Sequence, residues 1–348
     1  MKRILSLSMA LIISFVMIFS VFNINVQAAP KNYVIVIDPG HGGVGDRNLG
    51  AQYNGYSEKE LTLKLATAMK AELDNYDNVT VYLTRTTDEA VSLEKRAEFA
   101  KSVGADFVFS IHFNASSEHL FYGSEVWTSG FGTYYQKGYT FGLLETSELA
   151  GLGLYQKGVK TRIGSTGKDY YGIIRHCVAR GIPCDIIEHC YLDHGYDLQY
   201  LNQNDFIQKL ALCDATAVAK YFKLKSSSTK KDYSNVSYTT VKKPSGKVCD
   251  DTTEPETCAI KTLAYDSSSR NVLVEMTTKD SQSPVIYFSY SYDGGATFST
   301  LQMWDRSKET QSFNIKIPST VTSSRIVCRA YNSYEKCKQS NEVIIETR

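Results

Sequence analysis

YVIVIDPGHGG, residues 33–43, decides the fold. Val34-Ile35-Val36-Ile37 is a β-branched apolar run that reads as a buried strand. Asp38-Pro39-Gly40-His41-Gly42-Gly43 stops it at once, because proline and three glycines force a tight loop. His41 therefore stands at a strand end, on backbone that can approach a ligand closely. Glu58 follows at the start of an amphipathic helix, and His112 closes a second apolar strand, Phe107-Val108-Phe109-Ser110-Ile111. Two histidines and a carboxylate make a three-ligand set of the kind catalytic zinc uses, with one position left for water.

Each residue also has a plainer reading. His41 can be a loop histidine that only hydrogen-bonds. Glu58 in a first helical turn is favoured by the helix dipole without a metal. His112 can be a satisfied core histidine, and His189 and His194 are rival ligands, while His119 and His176 read as surface or supporting residues.

Outward from this stretch the chain alternates strands and helices. Ser57-x-x-Glu60 is a capping-box pattern, followed by Leu61, Leu65, Ala68 and Met69 at helical spacing. Strands are expected at 79–85, 106–111, 124–128, 171–174 and 185–187, and helices after Ser92, partly over 146–155, and over 205–222. Residues 129–145, rich in aromatics and glycine, carry no clear period. The alternation predicts an α/β fold, a largely parallel or mixed sheet flanked by helices. Ligands in such sheets gather at the carboxyl ends of the strands. His41, His112 and Glu188 all follow predicted strands. A carboxylate placed like Glu188 needs a partner, as a buried ion pair or helix cap, or serves as a general base.

Residues 224–256 are rich in serine, threonine and lysine and read as a linker. Residues 257–348 show short strands and a hairpin signal at Asp293-Gly294-Gly295, which predicts an all-β sandwich of immunoglobulin or fibronectin type. Its aromatics Tyr287, Tyr290, Tyr292 and Trp304 read either as sandwich core or as a sugar platform. Residues 1–28 read as a signal peptide: Lys2-Arg3, an apolar run over 4–22, and a small-residue end at Val26-Gln27-Ala28. An uncleaved anchor is the alternative; no other run is apolar enough to span a bilayer.

The chain of 348 residues carries a formal charge of +1. Without residues 1–28 it keeps 36 basic against 37 acidic residues, net −1, which gives no electrostatic case for nucleic acid. Eight cysteines in an exported chain permit disulfides. Cys249/Cys258 and Cys328/Cys337 read as bridges and Cys184 as a buried thiol. The absence of a CxxC pair disfavours a cysteine zinc site.

IDPGHGG, the helix start Glu58-Lys59-Glu60, LTR at 83–85 and SLEKRAEFAKSVGADFVFSIHFNAS at 92–116 together resemble the zinc-dependent N-acetylmuramoyl-L-alanine amidases of the bacterial cell wall. The resemblance spans residues 33–223. It implies one zinc ion on His41, Glu58 and His112, Glu188 as catalytic acid/base, and Asn114 and Arg175 near the substrate groove. It implies an enzyme that cuts the amide between N-acetylmuramic acid and L-alanine in peptidoglycan; with the signal peptide, this predicts a secreted or wall-associated protein, expected to be a monomer. The sequence departs from the family at Phe113, normally small, and after Glu188, where Glu188-His189-Cys190-Tyr191-Leu192-Asp193-His194 replaces a glycine- and asparagine-bearing segment. Another zinc amide hydrolase or peptidase, or a catalytically impaired wall-binding protein, are the competing readings.

Overall fold

The computed structural model describes residues 31–45 and 49–346. The expected signal peptide lies outside them. Tyr33–Arg348 form one compact unit. In chain order its α/β part holds β1 (Tyr33–Pro39), a short hairpin of β2 (Gln52–Tyr53) and β3 (Tyr56–Ser57), α1 (Glu58–Leu73), β4 (Val79–Leu83) and α2 (Leu93–Ser102). Next come β5 (Phe107–Asn114), β6 (Ser124–Thr128), α3 (Gly132–Gly151), β7 (Gln156–Thr161) and α4 (Gly172–Ala179). The part ends with β8 (Cys184–Tyr191), α5 (Gly195–Leu201) and α6 (Phe206–Phe222).

Six strands form one mixed sheet, ordered β4-β1-β5-β8-β6-β7. All neighbours run parallel except β6 against β8. The central strands are apolar on both faces because helices cover both. Leu61, Leu65 and Met69 of α1 pack with Phe141 of α3 and Leu210 of α6 on one face. Ala97 and Ala100 of α2 pack with Ile173, Ile174 and Cys177 of α4 on the other.

Some elements differ from the sequence expectation. Residues 171–174 begin helix α4 and are not a strand; Ile173, Ile174 and Cys177 recur at helical spacing on its buried side. Residues 129–145 fall largely in the twenty-residue α3. Gly138 and Gly142 sit in its interior, where a Cβ would lie 1.8 Å from Thr128 Oγ1 and 2.8 Å from Val159 Cγ2, so close approach to the sheet masks the helical period. Ser57 makes no side-chain cap. Its hydroxyl accepts from Gln52 Nε2 instead (2.9 Å).

The C-terminal part holds β9 (Thr257–Asp266), β10 (Asn271–Lys279), β11 (Val285–Ser291), β12 (Gln302–Met303), β13 (Thr310–Lys316), β14 (Ser323–Asn332), β15 (Cys337–Gln339) and β16 (Val343–Glu346). These strands make two antiparallel sheets, β13-β10-β9 and β12-β11-β14-β15, with β16 on β14. Val272, Val274 and Met276 of one sheet meet Phe288, Ile326 and Cys328 of the other in a shared core, with Trp304. Trp304 is therefore buried in this core, and Tyr287 is buried in a separate aromatic cluster, so neither forms an exposed platform.

All eight cysteines are free thiols, and the Cys249/Cys258 and Cys328/Cys337 bridges do not form. Cys337 pairs across the strands with Tyr331, three residues along from Cys328. Residues three apart in a strand point to opposite faces. Cys328 accordingly faces the sandwich core and Cys337 the other side. Cys258 is buried in that core, whereas Cys249 is exposed.

Residues 224–256 carry no named helix or strand, yet they are strapped to the α/β part. Tyr238 Oη donates to the Tyr221 carbonyl (2.6 Å), and Val248 N–H to the Gly130 carbonyl (2.8 Å). An aromatic cluster then joins the two parts: Phe121, Tyr122 and Tyr191 on one side, Ile286, Tyr287, Leu301 and Tyr331 on the other. Tyr287 donates to the Tyr122 carbonyl, and Tyr155 Oη to the Ile286 carbonyl (2.5 Å). Truncating Tyr287 leaves a cavity at this seam. Tyr287→Ala is expected to lower unfolding free energy by about 3–5 kcal/mol in a urea melt; a loss under about 1 kcal/mol would show that the seam contributes little.

Candidate metal centre

Two buried arginines shape the loop after β1. Arg96 Nη1 pairs with Asp38 Oδ1 (2.7 Å) and donates to the Pro39 carbonyl (2.6 Å), while its Nη2 donates to the His41 carbonyl (2.6 Å). Arg85 Nε donates to the Pro39 carbonyl (3.1 Å) and Nη2 to that of Gly40 (2.9 Å). Burial alone would raise the Asp38 proton affinity, but the Arg96 charge and hydrogen bonds from Thr84, Arg96 and Ser110 hold it below its ordinary value. The carboxylate thus stays charged and keeps the Arg96 anchorage in place.

His41 emerges from this clamp at φ 61°. Gly40 is required by contact: a Cβ there would lie 2.3 Å from the His112 ring. The two imidazoles consequently meet edge to face, centroids 5.0 Å apart. Glu58 joins them, with Oε1 2.9 Å from His112 Nδ1 and 3.2 Å from His41 Nε2. The same oxygen accepts from Phe113 N–H (3.1 Å), and Oε2 accepts from Ala51 N–H (2.7 Å). Burial pushes the Glu58 proton affinity up; the His112 and His41 hydrogen bonds outweigh it and leave the acid well below its ordinary value.

The ligand atoms of His41, Glu58 and His112 all lie within 4.8 Å of one another. Ligands about 2.0–2.1 Å from a tetrahedral zinc stand roughly 3.3 Å apart, so this borderline nitrogen–oxygen set fits that ion. A second group, Glu145, His189 and Asp214, has the same closeness but is fully buried. His189 points to the opposite sheet face from Glu188, bonded to Asp214 (3.1 Å) and to the His112 carbonyl (3.0 Å). It supports the strand carrying His112 from behind. His194 caps α5, and His119 pairs with Asp193 (2.7 Å). Neither of these joins the trio.

Glu188 is opposite His112 in the β5–β8 register and opposite Glu125 in the β8–β6 register. Facing residues share a sheet side, so His112, Glu188 and Glu125 form one row. Glu125 is neutralised by Lys160 (2.6 Å) and Lys157 (3.1 Å). Glu188 Oε2 is buried with no hydrogen-bond partner among the described residues. Burial, then Glu58 and Glu125, raise its proton affinity well above the ordinary range against the opposing pull of Lys157.

Glu188 and Asn114 line one cavity of about 390 Å³. Asn114 Nδ2 donates to Glu125 Oε1 (3.1 Å). Arg175 lies elsewhere, donating to the Asp169 (2.7 Å) and Tyr170 (2.9 Å) carbonyls beside a separate depression. Phe113 is buried against His189. Glu125, Lys157 and Lys160 escaped notice in the sequence; the two lysines stand three apart in β7, and only the register shift between β6 and β7 brings both to Glu125, so no spacing signalled them.

The family described as N-acetylmuramoyl-L-alanine amidase matches residues 35–220. The chain is 33% identical over 196 residues to the N-acetylmuramoyl-L-alanine amidase CwlM of Bacillus licheniformis, covering 55% of this chain and 69% of that protein. It is 33% identical over 200 residues to a sporulation-specific N-acetylmuramoyl-L-alanine amidase of Bacillus subtilis, covering 56% and 70%. Among solved structures it is similar to Cwp6 from Clostridium difficile, with TM-score 0.51 and 25% identity over 56% of this chain and 30% of that one.

The clamp yields two expectations. Arg96→Ala leaves Asp38 buried and unpaired and should cost about 3–5 kcal/mol in a denaturant melt; a near-neutral result would refute the clamp. Gly40→Ala drives a methyl into His112 and should cut bound zinc sharply in a folded protein, read by elemental analysis and circular dichroism together.

Proposed function

Because the chain belongs to the N-acetylmuramoyl-L-alanine amidase family, we propose that it is an exported zinc-dependent amidase that hydrolyses the bond between N-acetylmuramic acid and the L-alanine of peptidoglycan. The observation that carries this reading is the convergence of His41, Glu58 and His112 beside an unneutralised Glu188. Residues 33–223 would be the catalytic domain, residues 1–28 the export signal, and the wall the place of action. Its sequence supports export through the basic, apolar and small-residue order of residues 1–28.

His41, Glu58 and His112 would hold one zinc ion, which when bound supplies Lewis acidity that polarises the scissile carbonyl and acidifies a water. Glu188 takes the proton from that water as it attacks the carbonyl carbon. It then hands the proton to the L-alanine nitrogen as the C–N bond breaks, so the amine leaves neutral. A carboxyl with raised proton affinity suits this second role, since it holds the proton until the leaving group needs it. Lys157 and Lys160 keep Glu125 charged and bound, which leaves Glu188 as the proton carrier of the row. The segment after Glu188 does not argue for an impaired protein: His189 and Cys190 are buried in packing roles on or behind β8.

Glu188→Gln is expected to keep zinc and lose at least about a hundredfold in rate, measured by release of new L-alanine amino ends from purified peptidoglycan with the glycan intact. Retained rate would transfer the base role to another group. His112→Ala should release the metal; unchanged zinc content would contradict the ligand set.

A further inference from the structure

The family match ends at residue 220, yet the cavity beside Glu188 is completed by residues far beyond it. Tyr334, Glu335 and Lys336, in the turn between β14 and β15, line it together with Asn114, Trp127 and Glu188. At about 390 Å³ the cavity lies in the size range of small-ligand sites.

The geometry points to the C-terminal part as a built-in wall of the substrate cleft, with Tyr334 and Lys336 binding the muramoyl-peptide. This rests on the amidase reading above. The turn is held rather than tethered. Glu335 Oε1 pairs with buried Lys157 (2.5 Å) and accepts from Tyr191 Oη (2.9 Å). Tyr191 belongs to the segment where this sequence departs from the family, so the departure and the added wall are one construction. Tyr334 Oη accepts from Thr161 N–H of β7 (3.2 Å), and its ring meets Trp127 edge on at 6.1 Å.

Glu335 itself sits at φ 64°, a left-handed conformation that costs free energy in a non-glycine residue. The surroundings over-determine it. Asn332 Oδ1 accepts from Tyr334 N–H (3.0 Å) and Lys336 N–H (2.9 Å), and the fully buried Asn332 is fixed in turn by Asp251 (2.9 Å) and Asp280 (2.9 Å). A strained turn held on both sides and facing a cavity is preorganised to meet a ligand. Glu335 is thus a positioning residue. Tyr334 presents a half-buried ring with its hydroxyl already engaged, which suits the C–H face of a sugar. Lys336 is exposed at the rim, where its ammonium can meet the carboxylates of the stem peptide.

The test uses the full-length chain carrying Glu188→Gln, titrated calorimetrically with a soluble muramoyl-peptide and with the same peptide N-acetylated and lacking the sugar. Tyr334→Ala should weaken muramoyl-peptide binding about tenfold, and Tyr334→Phe, which keeps the ring, should restore it. The same Tyr334→Ala change should leave the sugar-free peptide unaffected. Lys336→Ala, which removes no packing, should weaken both peptides about threefold without changing the melting temperature. Unaltered affinities in folded variants overturn the proposal. So does tighter binding, which would mean that the turn obstructs the cleft. These are binding readouts, so a wild-type chain that binds but releases no L-alanine ends would refute the amidase reading and not this one.

Discussion

The buried pair of Asp38 and Arg96 is the constraint on which the rest of the site depends. It stands at the end of strand β1, next to the edge strand β4, where the chain must turn. One guanidinium there neutralises a carboxylate and also gathers two loop carbonyls, while Arg85 gathers a third contact at Gly40. Without these donors the Pro39 carbonyl would lose both of the side-chain hydrogen bonds it accepts, and the Gly40 carbonyl would keep only that of Thr62 (2.8 Å), which is expensive for buried groups. With them, the loop can lie against His112 at a distance that only glycine tolerates at residue 40. The meeting of His41 with His112 and Glu58 is therefore a consequence of how a backbone turn is paid for in hydrogen bonds.

Much of this was legible in the sequence, and the reason is local. An apolar run followed by Asp-Pro-Gly-His-Gly-Gly specifies a strand and its stop using neighbours alone. The strands carrying His112 and Glu188 are likewise continuous apolar runs, as parallel strands covered on both faces must be. What was not legible depended on packing partners. α3 hides its period because glycines at 138 and 142 replace the apolar residues that a close helix-to-sheet contact would otherwise show. Tyr171–Ile174 looks β-prone in isolation, yet its apolar residues lie at 173, 174 and 177, and α2 offers them a helical seat. The Glu125–Lys157–Lys160 network joins strands that no spacing rule connects.

The linker and cysteines teach a related lesson. Composition reads residues 224–256 as a linker, but composition carries no information on hydrogen bonds to the body of the protein. Cysteine spacing suggested bridges, whereas strand register decides them: Cys328 and Cys337 share neighbouring strands but point to opposite faces. Tyr191 shows the same dependence in reverse. It looks anomalous against the family pattern until the C-terminal part is in place, and then it is a hydrogen-bonding member of the seam.

Three carboxylates, Glu58, Glu188 and Glu125, converge around the neighbouring interior strands β5, β8 and β6, and their surroundings separate them. Glu58 lies between two imidazoles and two backbone N–H groups, which favour its ionised form strongly enough to overcome burial. Glu125 lies between two lysines, with the same outcome. Glu188, between them in the row, receives the desolvation and both negative neighbours but no direct cation. Ionising it adds a third negative charge to a crowded line, so it is the one whose protonation state is easily changed by events in the cleft. Groups of one chemical type driven apart in proton affinity by placement are the usual basis of acid–base division of labour. Under the proposed function, the two fixed charges would define where a cation and a strut belong, and the remaining carboxyl would be left to carry the proton.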